Sequence, residues 1–242
     1  MALTIIHTAD MHNRLDDERA EALGFLRENA GALLLDSGDA IAAGNIYVRP
    51  NEPVLERMNA AGYHAMGVGN REFFFRKRGM LLKTRQAQFP VLTTNLLPRE
   101  GDFGHIRRWV EMEHAGQRVG VFALTPTMIR PGHLFERLSD VRFLTWEAAA
   151  REAVERLRGR VDWLIALSHR GLVDDVTLAE VCPEIDVVLG GHSHEEDFRE
   201  VGPRPALISH AGHHATRAAF VKAERGADGR NTWETQLVET GR

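Results

Sequence analysis

One cysteine, Cys182, stands among 242 residues. An internal disulfide is therefore excluded, and so is a pair of thiols for redox chemistry or a thiolate metal site. Cys182 precedes Pro183 at the end of an expected helix, where packing suits it better than reactivity. Lysine is nearly absent: Lys77, Lys83 and Lys222 are the only three, and arginine supplies the other positive charges. That is read as genome composition. No large charge imbalance exists, the formal net charge being -4. A global electrostatic signal for nucleic acid or anionic membranes is thereby excluded. No stretch approaches the roughly 18 apolar residues that a membrane span requires. The opening residues 1–10 lack a basic start, a long apolar stretch and a cleavage site, so they read as a strand and not a signal peptide. A cytoplasmic location is the resulting expectation. Repeats, linkers and low-complexity segments are also missing. What remains is 43% hydrophobic and 26% charged, ordinary for a globular chain with a large core. A single domain over residues 1–242 is expected.

Strand and helix patterns alternate along the first two-thirds. Strands are expected at 3–8, 32–36, 64–68, 91–95, 119–124, 163–168 and 187–190. Helices are expected at 16–29, 52–61, 76–88, 146–158 and 174–181, the second capped by Gly62. A hairpin is expected through Ala115-Gly116. From about residue 206 the pattern changes to antiparallel strands, at 206–210, 218–223 and 233–238, joined by Gly/Asp/Asn turns. Helix-flanked strands followed by a strand run suggest a layered α/β domain with two packed sheets.

Five short motifs carry the chemistry: Asp10-Met11-His12, Gly38-Asp39, Gly69-Asn70-Arg71-Glu72, Ser168-His169 and Gly190-Gly191-His192-Ser193-His194. Each follows an apolar run that reads as a strand. Sheet ends fix the bases of such loops, so side chains from several strands can converge. Asp10 and His12 are two residues apart and would face one side of an extended segment; His192 and His194 repeat that relation. Two carboxylates, four imidazoles and one amide suit two transition-metal ions sharing a bridging carboxylate. Two divalent ions against two carboxylates and one hydroxide leave such a site net positive and attractive to phosphate. Each motif alone is a weak signal; five in order are not.

This motif set resembles the calcineurin-like metallophosphoesterase superfamily, and most of all the catalytic domain of its 5'-nucleotidase branch. Residues 61–66 ahead of Gly69-Asn70, and Phe89 to Asn95, add to the resemblance, which runs over almost the whole chain. It implies a four-layer αββα sandwich of two packed mixed sheets. It implies that Asp10, His12, Asp39 and His194 hold one ion, and that Asp39, Asn70, His169 and His192 hold the other. The implied metals are manganese first, with iron, zinc or cobalt as alternatives. The implied reaction is hydrolysis of phosphate mono- or diesters by a hydroxide bridging the two ions, on a small phosphorylated substrate such as a nucleotide. No membrane or nucleic-acid partner is implied, and the oligomeric state is left open.

The chain departs from the branch at one position. Members of the branch usually read Gly-Asn-His-Glu where this chain reads Gly69-Asn70-Arg71-Glu72. Arg71 can bind phosphoryl oxygens and stabilise charge, with Asn70, but cannot act as a general acid at neutral pH. Three readings stay open: substrates with good leaving groups, protonation by another residue (His133, His213 or His214), or a degraded site that senses a phosphorylated ligand. Hydrolysis of a sulfur-containing ester is a lesser alternative. Glu72 is either a partner that aims Arg71 or a surface residue. Asn95 and Asp36 are candidates to orient ligands, Asp36 equally a strand-end turn residue. His210 is expected to border the site or lie on a wet loop. Phe73, Phe74 and Phe75 are expected to pack in the core, with stacking on a substrate ring as the alternative. Arg76-Lys77-Arg78 and Arg107-Arg108 read as solvated basic runs.

Overall fold

Strands whose even and odd positions are both apolar can be buried on two faces, and that pattern builds the centre of this protein. The computed structural model describes residues 1–44, 47–49, 51–202 and 204–241. In chain order the first half contains β1 (Ala2–Thr8), α1 (Asp17–Ala30), β2 (Leu33–Asp36), α2 (Pro53–Ala61), β3 (Ala65–Gly67), α3 (Lys77–Thr84), β4 (Val91–Leu92), β5 (Leu96–Pro98), β6 (Ile106–Arg107), β7 (Trp109–His114) and β8 (Gln117–Leu124). The second half contains α4 (Leu134–Leu138), β9 (Val141–Phe143), α5 (Trp146–Leu157), β10 (Trp163–Ser168), α6 (Leu172–Val181), β11 (Val187–Gly190), β12 (Glu196–Val201), β13 (Ala206–Ala211), β14 (Arg217–Arg225) and β15 (Asn231–Glu239).

One sheet has seven strands in the order β15-β14-β1-β2-β3-β4-β6; the other has six, β12-β13-β11-β10-β8-β7. Both are parallel at their centres and antiparallel at the β14–β15, β12 and β7 edges. Leu3, Ile5, Leu33 and Leu35 of the first sheet pack against Val121, Trp163, Ile165, Leu167 and Leu189 of the second. The alternate residues Ile6, Leu34 and Met66 face α1 and α2 through Leu23, Leu55 and Met58. On the far side Leu164, Ala166 and Val188 face α5 and α6 through Ala153, Leu157 and Leu178. The result is helix, sheet, sheet, helix, as the resemblance implied. Among the described residues, no helix is long and apolar enough to cross a membrane. Cys182 is buried in the outer cluster.

Strands β10 and β11 have the expected bounds. Others differ for identifiable reasons. The strand expected at 91–95 ends at Leu92 because Thr94 and Asn95 turn their side chains to the backbone of Arg108 and Thr125. The terminal strands are not one antiparallel run. β13 joins the second sheet, parallel to β11, while β14 and β15 extend the first. Its antiparallel partner is β12, a polar half-exposed edge strand without an apolar signal. Arg108 is not simply solvated: it forms a bidentate pair with Glu152 (2.5 and 2.7 Å) and lies over Trp109.

One prediction arises in this frame. His64 follows the α2 cap, and the Leu34 N–H donates to its Nδ1 at 3.0 Å. Burial, then His114 and Arg27, lower its pKa to about 4. The unfolded chain binds the proton near the ordinary value of 6.5, so between those values it holds more protons than the folded one. This contribution to stability is present above pH 6.5 and is lost as pH falls toward 4. The slope is at most about 1.4 kcal/mol per pH unit, less for a half-buried ring that solvent screens. His64→Gln removes the titration, so the gap in melting temperature between wild type and variant should narrow from pH 7 to pH 4.5. A constant gap across that range would show that His64 does not titrate in this way.

Candidate metal centre

The ligand candidates leave the sheets at the carboxyl ends of five strands: β1, β2, β3, β10 and β11. The two inner strand sets meet there, which brings residues far apart in sequence within a few ångströms. The geometry differs from the expected extended alternation. Asp10, His12, Asp39, His192 and His194 all have left-handed backbones, with φ between 48° and 75°. Asp, Asn and His adopt this region more readily than other residues. Each still carries strain of roughly 1 kcal/mol or more, and such strain gathers at functional sites. Long-range contacts hold these loops: the backbone N–H groups of Asp10, His12 and Asn13 donate to Gly38 O, Asp39 O and Ala40 O.

Each carboxylate has one oxygen fixed and one directed inward. The His192 N–H donates to Asp10 Oδ2 and the Arg71 N–H to Asp39 Oδ1, both at 2.7 Å. Asp10 Oδ1 then lies 3.3 Å from His194 Nε2, 3.6 Å from His12 Nε2 and 3.7 Å from His169 Nε2. Asp39 Oδ2 lies 3.6 Å from His12 Nε2 and 3.5 Å from His169 Nε2. The His169 ring is fixed from behind by Nδ1 against Ser37 O at 3.0 Å, which leaves Nε2 facing the carboxylates. The rings of His169 and His192 are 5.2 Å apart, as are those of His12 and His194.

Four polar atoms at this point are buried without a hydrogen-bond partner in the protein: Asp10 Oδ1, His12 Nε2, Asn70 Oδ1 and His169 Nε2. Buried polar atoms are normally satisfied. Bonds of about 2.1 Å at a tetrahedral centre place neighbouring donors about 3.4 Å apart. Separations of 3.3 to 3.6 Å between Asp10 or Asp39 and the imidazoles of His12, His169 and His194 fit that spacing better than they fit hydrogen bonds. Two overlapping triads, Asp10–His12–His194 and Asp10–Asp39–His169, could each hold an ion. The donor set of nitrogen and carboxylate oxygen suits a transition metal.

Charge follows from the same contacts. Burial alone would raise the carboxyl pKa of Asp10; His12, His169 and the His192 N–H outweigh it and hold the value below normal. Asp39 is likewise held low, against burial, by His169, His12 and the Arg71 N–H. Burial would lower His169, but Asp39, Asp10 and Glu72 raise it to about 9. Two ionised carboxylates in a buried site thus hold a positive charge beside them, which divalent ions can supply.

Glu72 corrects an expectation. It is neither a surface residue nor a partner of Arg71. It is fully buried, and its carboxylate accepts backbone N–H bonds from Gly69, Asp39, Ala40 and Ile41 at 2.9 to 3.2 Å. It therefore clamps the Asp39 loop to the Asn70 loop. The two backbones touch so closely that a Cβ on Gly69 would lie 2.3 Å from Asp39 Oδ1 and 2.5 Å from Asp39 N. Only glycine fits there.

Sequence reasoning also missed Glu52 and Lys83. Glu52 is buried and accepts from Ala42 N and Ala43 N. Lys83 is buried, and its ammonium donates to Gly44 O, Arg71 O and Phe73 O at 2.7 to 2.9 Å. Burial lowers its pKa to about 8, with Glu72, Glu52 and Asp39 acting in the opposite sense. Three converging carbonyls suit a compact ammonium and not a planar guanidinium. A lysine in so arginine-rich a chain was the available signal.

The other candidates separate clearly. Arg71 is half-buried, with Nη1 on Ala42 O at 3.3 Å and Nε 3.8 Å from Asp39 Oδ2. His213 stacks on His194 at 4.9 Å, and His214 lies 5.5 Å from His12. His210 is buried against Asp175 at 2.8 Å, so it is neither on a wet loop nor open to the site. A Cβ on Gly190 would strike that pair, which is how the backbone passes over it. His133 caps α4 and lies against Phe135. Asp36 is buried and accepts from Thr8 Oγ1 and the Gly38 N–H, so it buttresses the turn before Asp39. Asn95 meets both backbone groups of Thr125 and pins the end of β8. Phe73 is core, Phe74 half-buried and Phe75 exposed.

Comparison with known proteins places the chain in a family. The family model for calcineurin-like phosphoesterases matches residues 3–196. Snake venom 5'-nucleotidase from Gloydius brevicauda is 29% identical, the match covering 88% of this chain and 40% of that protein. Protein UshA from Yersinia enterocolitica is 26% identical over 99% of this chain and 47% of its own length. The chain therefore spans less than half of either relative. Among solved structures, a 5'-nucleotidase precursor from Thermus thermophilus superposes with a TM-score of 0.82 at 23% identity, over 99% of this chain and 54% of that one.

Proposed function

The chain belongs to the calcineurin-like phosphoesterase family, and from that premise we propose that it is a metal-dependent phosphoric ester hydrolase whose centre takes two divalent transition-metal ions. Asp10, His12, Asp39 and His194 would hold one ion, and Asp39, Asn70, His169 and His192 the other, with Asp39 shared. The observation that carries this reading is the convergence of Asp10 Oδ1, His12 Nε2 and His169 Nε2, buried without partners, with Asn70 Oδ1 likewise buried and unpartnered. Manganese is the first metal to test, with iron, zinc and cobalt next. Bound ions supply an acidified water and neutralise phosphoryl charge.

The chain's own residues then position and stabilise. Arg71 donates from Nη1 to Ala42 O, which leaves other guanidinium donors for phosphoryl oxygens. With the Asn70 amide it stabilises charge that develops there. Arginine stays protonated, so it gives no proton to the leaving group. Leaving groups that depart unprotonated fit this arrangement best: aryl esters, diesters and anhydrides. His213 and His214 border the centre and are the imidazoles available for esters that need a proton. The relatives' names make nucleotides one candidate class of small phosphorylated substrate.

Arg71 also supports a second reading, a metal- and phosphate-binding sensor with little turnover. Metal-stripped protein supplied with manganese should hydrolyse p-nitrophenyl phosphate and bis-p-nitrophenyl phosphate. Two bound ions with no hydrolysis of either would turn the conclusion to the sensor. Arg71→His should shift preference toward the monoester by restoring a titratable donor. An unchanged ratio of the two rates would remove Arg71 from the reaction.

A further inference from the structure

A cavity of about 740 Å³ lies next to the segment that carries Arg71. That volume falls within the range of roughly 300 to 1,000 Å³ typical of small-molecule sites. Its walls are apolar: Phe73, Phe75, Met128, Ile129, Phe135 and Leu138. Arg76, Arg130 and His133 complete the lining, with the Arg76 guanidinium 5.7 Å from the Phe75 ring centre.

Both walls begin at the end of the sheets where the ligand candidates converge. The first continues directly from Asn70 and Arg71. Lys83 bonds both Arg71 O and Phe73 O, so that wall and the Arg71 backbone are held by one ammonium. The second leaves β8 at Leu124, which pairs in register with Ser168, the residue before His169. Asn95 pins it at Thr125, and Ser139 Oγ donates to Phe75 O at 2.6 Å, joining its far end to the first wall. The cavity is thus framed at fixed points. Yet Phe135 and Leu138 on α4 are 65% and 57% exposed, so these apolar side chains face water. An apolar floor with two guanidiniums matches an anion that carries an apolar group, and the wall it shares with Phe73 runs on from Arg71 through the carbonyls that Lys83 binds.

We propose that this pocket holds the organic group of the substrate, which is an aryl phosphate ester, or a diester with an apolar group, and not a small polar ester; this rests on the hydrolase reading above. The apolar group sits among Phe73, Ile129, Phe135 and Leu138, and Arg76 and Arg130 draw the anion toward the centre.

The test uses manganese-loaded protein and two non-hydrolysable probes, 1-naphthylmethylphosphonate and methylphosphonate. The naphthyl probe should bind at least about tenfold tighter, a difference of about 1.4 kcal/mol. The double variant Phe135→Ser/Leu138→Ser should lose that preference and bind methylphosphonate as wild type does. Both side chains are exposed, so the fold is not at stake, and a melting curve checks it. Equal binding of the two probes, or a preference that survives in the variant, would overturn the proposal. A groove built for another protein would give that second result. Absence of ester turnover would count against the hydrolase reading alone, because the binding preference is measured without hydrolysis.

Discussion

Asp39→Ala should abolish metal-dependent ester hydrolysis, the loss exceeding the roughly 10- to 100-fold that removal of an outer supporting group costs. The reason lies in the two oxygens of Asp39. Oδ1 accepts the Arg71 N–H at 2.7 Å, and Oδ2 faces His12 and His169 at 3.6 and 3.5 Å. Asp39 is the carboxylate proposed to touch both ions, so its removal weakens both at once. It also removes one of the charges that hold His169 protonated in the metal-free protein. The variant should keep its fold, since the loop remains clamped by Glu72 through backbone groups. Calorimetric titration with manganese, beside turnover of bis-p-nitrophenyl phosphate, would check both parts. A variant that keeps wild-type turnover would show that Asp39 is not the shared ligand.

Glu72→Ala should produce the largest loss of stability. The substitution leaves the N–H groups of Gly69, Asp39, Ala40 and Ile41 buried without an acceptor. An unsatisfied buried donor costs about 1–3 kcal/mol, and more when its lost partner was charged. Water entering the space recovers part of this, so a net loss of about 3–5 kcal/mol is expected. For a chain of this size that corresponds to a fall in melting temperature of roughly 10 °C. Glu72→Gln keeps the shape but turns an amide N–H₂ toward some of those donors, and should fall between wild type and alanine. Thermal unfolding of the three proteins, with manganese affinity measured alongside, tests the clamp. An alanine variant that melts with wild type would mean that the two loops hold each other without Glu72.

The layered fold was legible because the strands announce themselves locally. Trp163–Ser168 and Val187–Gly190 are short apolar runs buried on both faces, and periodicity alone finds them. The polar edge strand β12 has no such run, and its place depends on β13 being available to pair. The sheet chosen by β13 was not legible either, since local alternation does not name a partner. At the centre, residue type and strand-end position named Asp10, His12, Asp39, Asn70, His169, His192 and His194 as candidates, and the fold gathers Asp10, His12, Asp39, His169 and His194 of these into two overlapping triads. How they converge was not legible. Their spacing of two suggested extended segments, whereas the loops are left-handed, a conformation held by bonds to residues elsewhere in the chain.

Residue type and local period were enough to suggest the donor chemistry and to place the two-faced burial of the central strands, while the resemblance alone marked Arg71 as standing where an imidazole is usual. No distant contact is needed to state any of these. Folding settled the rest: that Asp10 is aimed by the His192 N–H, 182 positions away, that Glu72 joins two loops, and that Lys83 gathers three carbonyls. A carboxylate or ammonium carries the same charge at the surface and in the core. Its role is set by which backbone groups the fold leaves without partners around it.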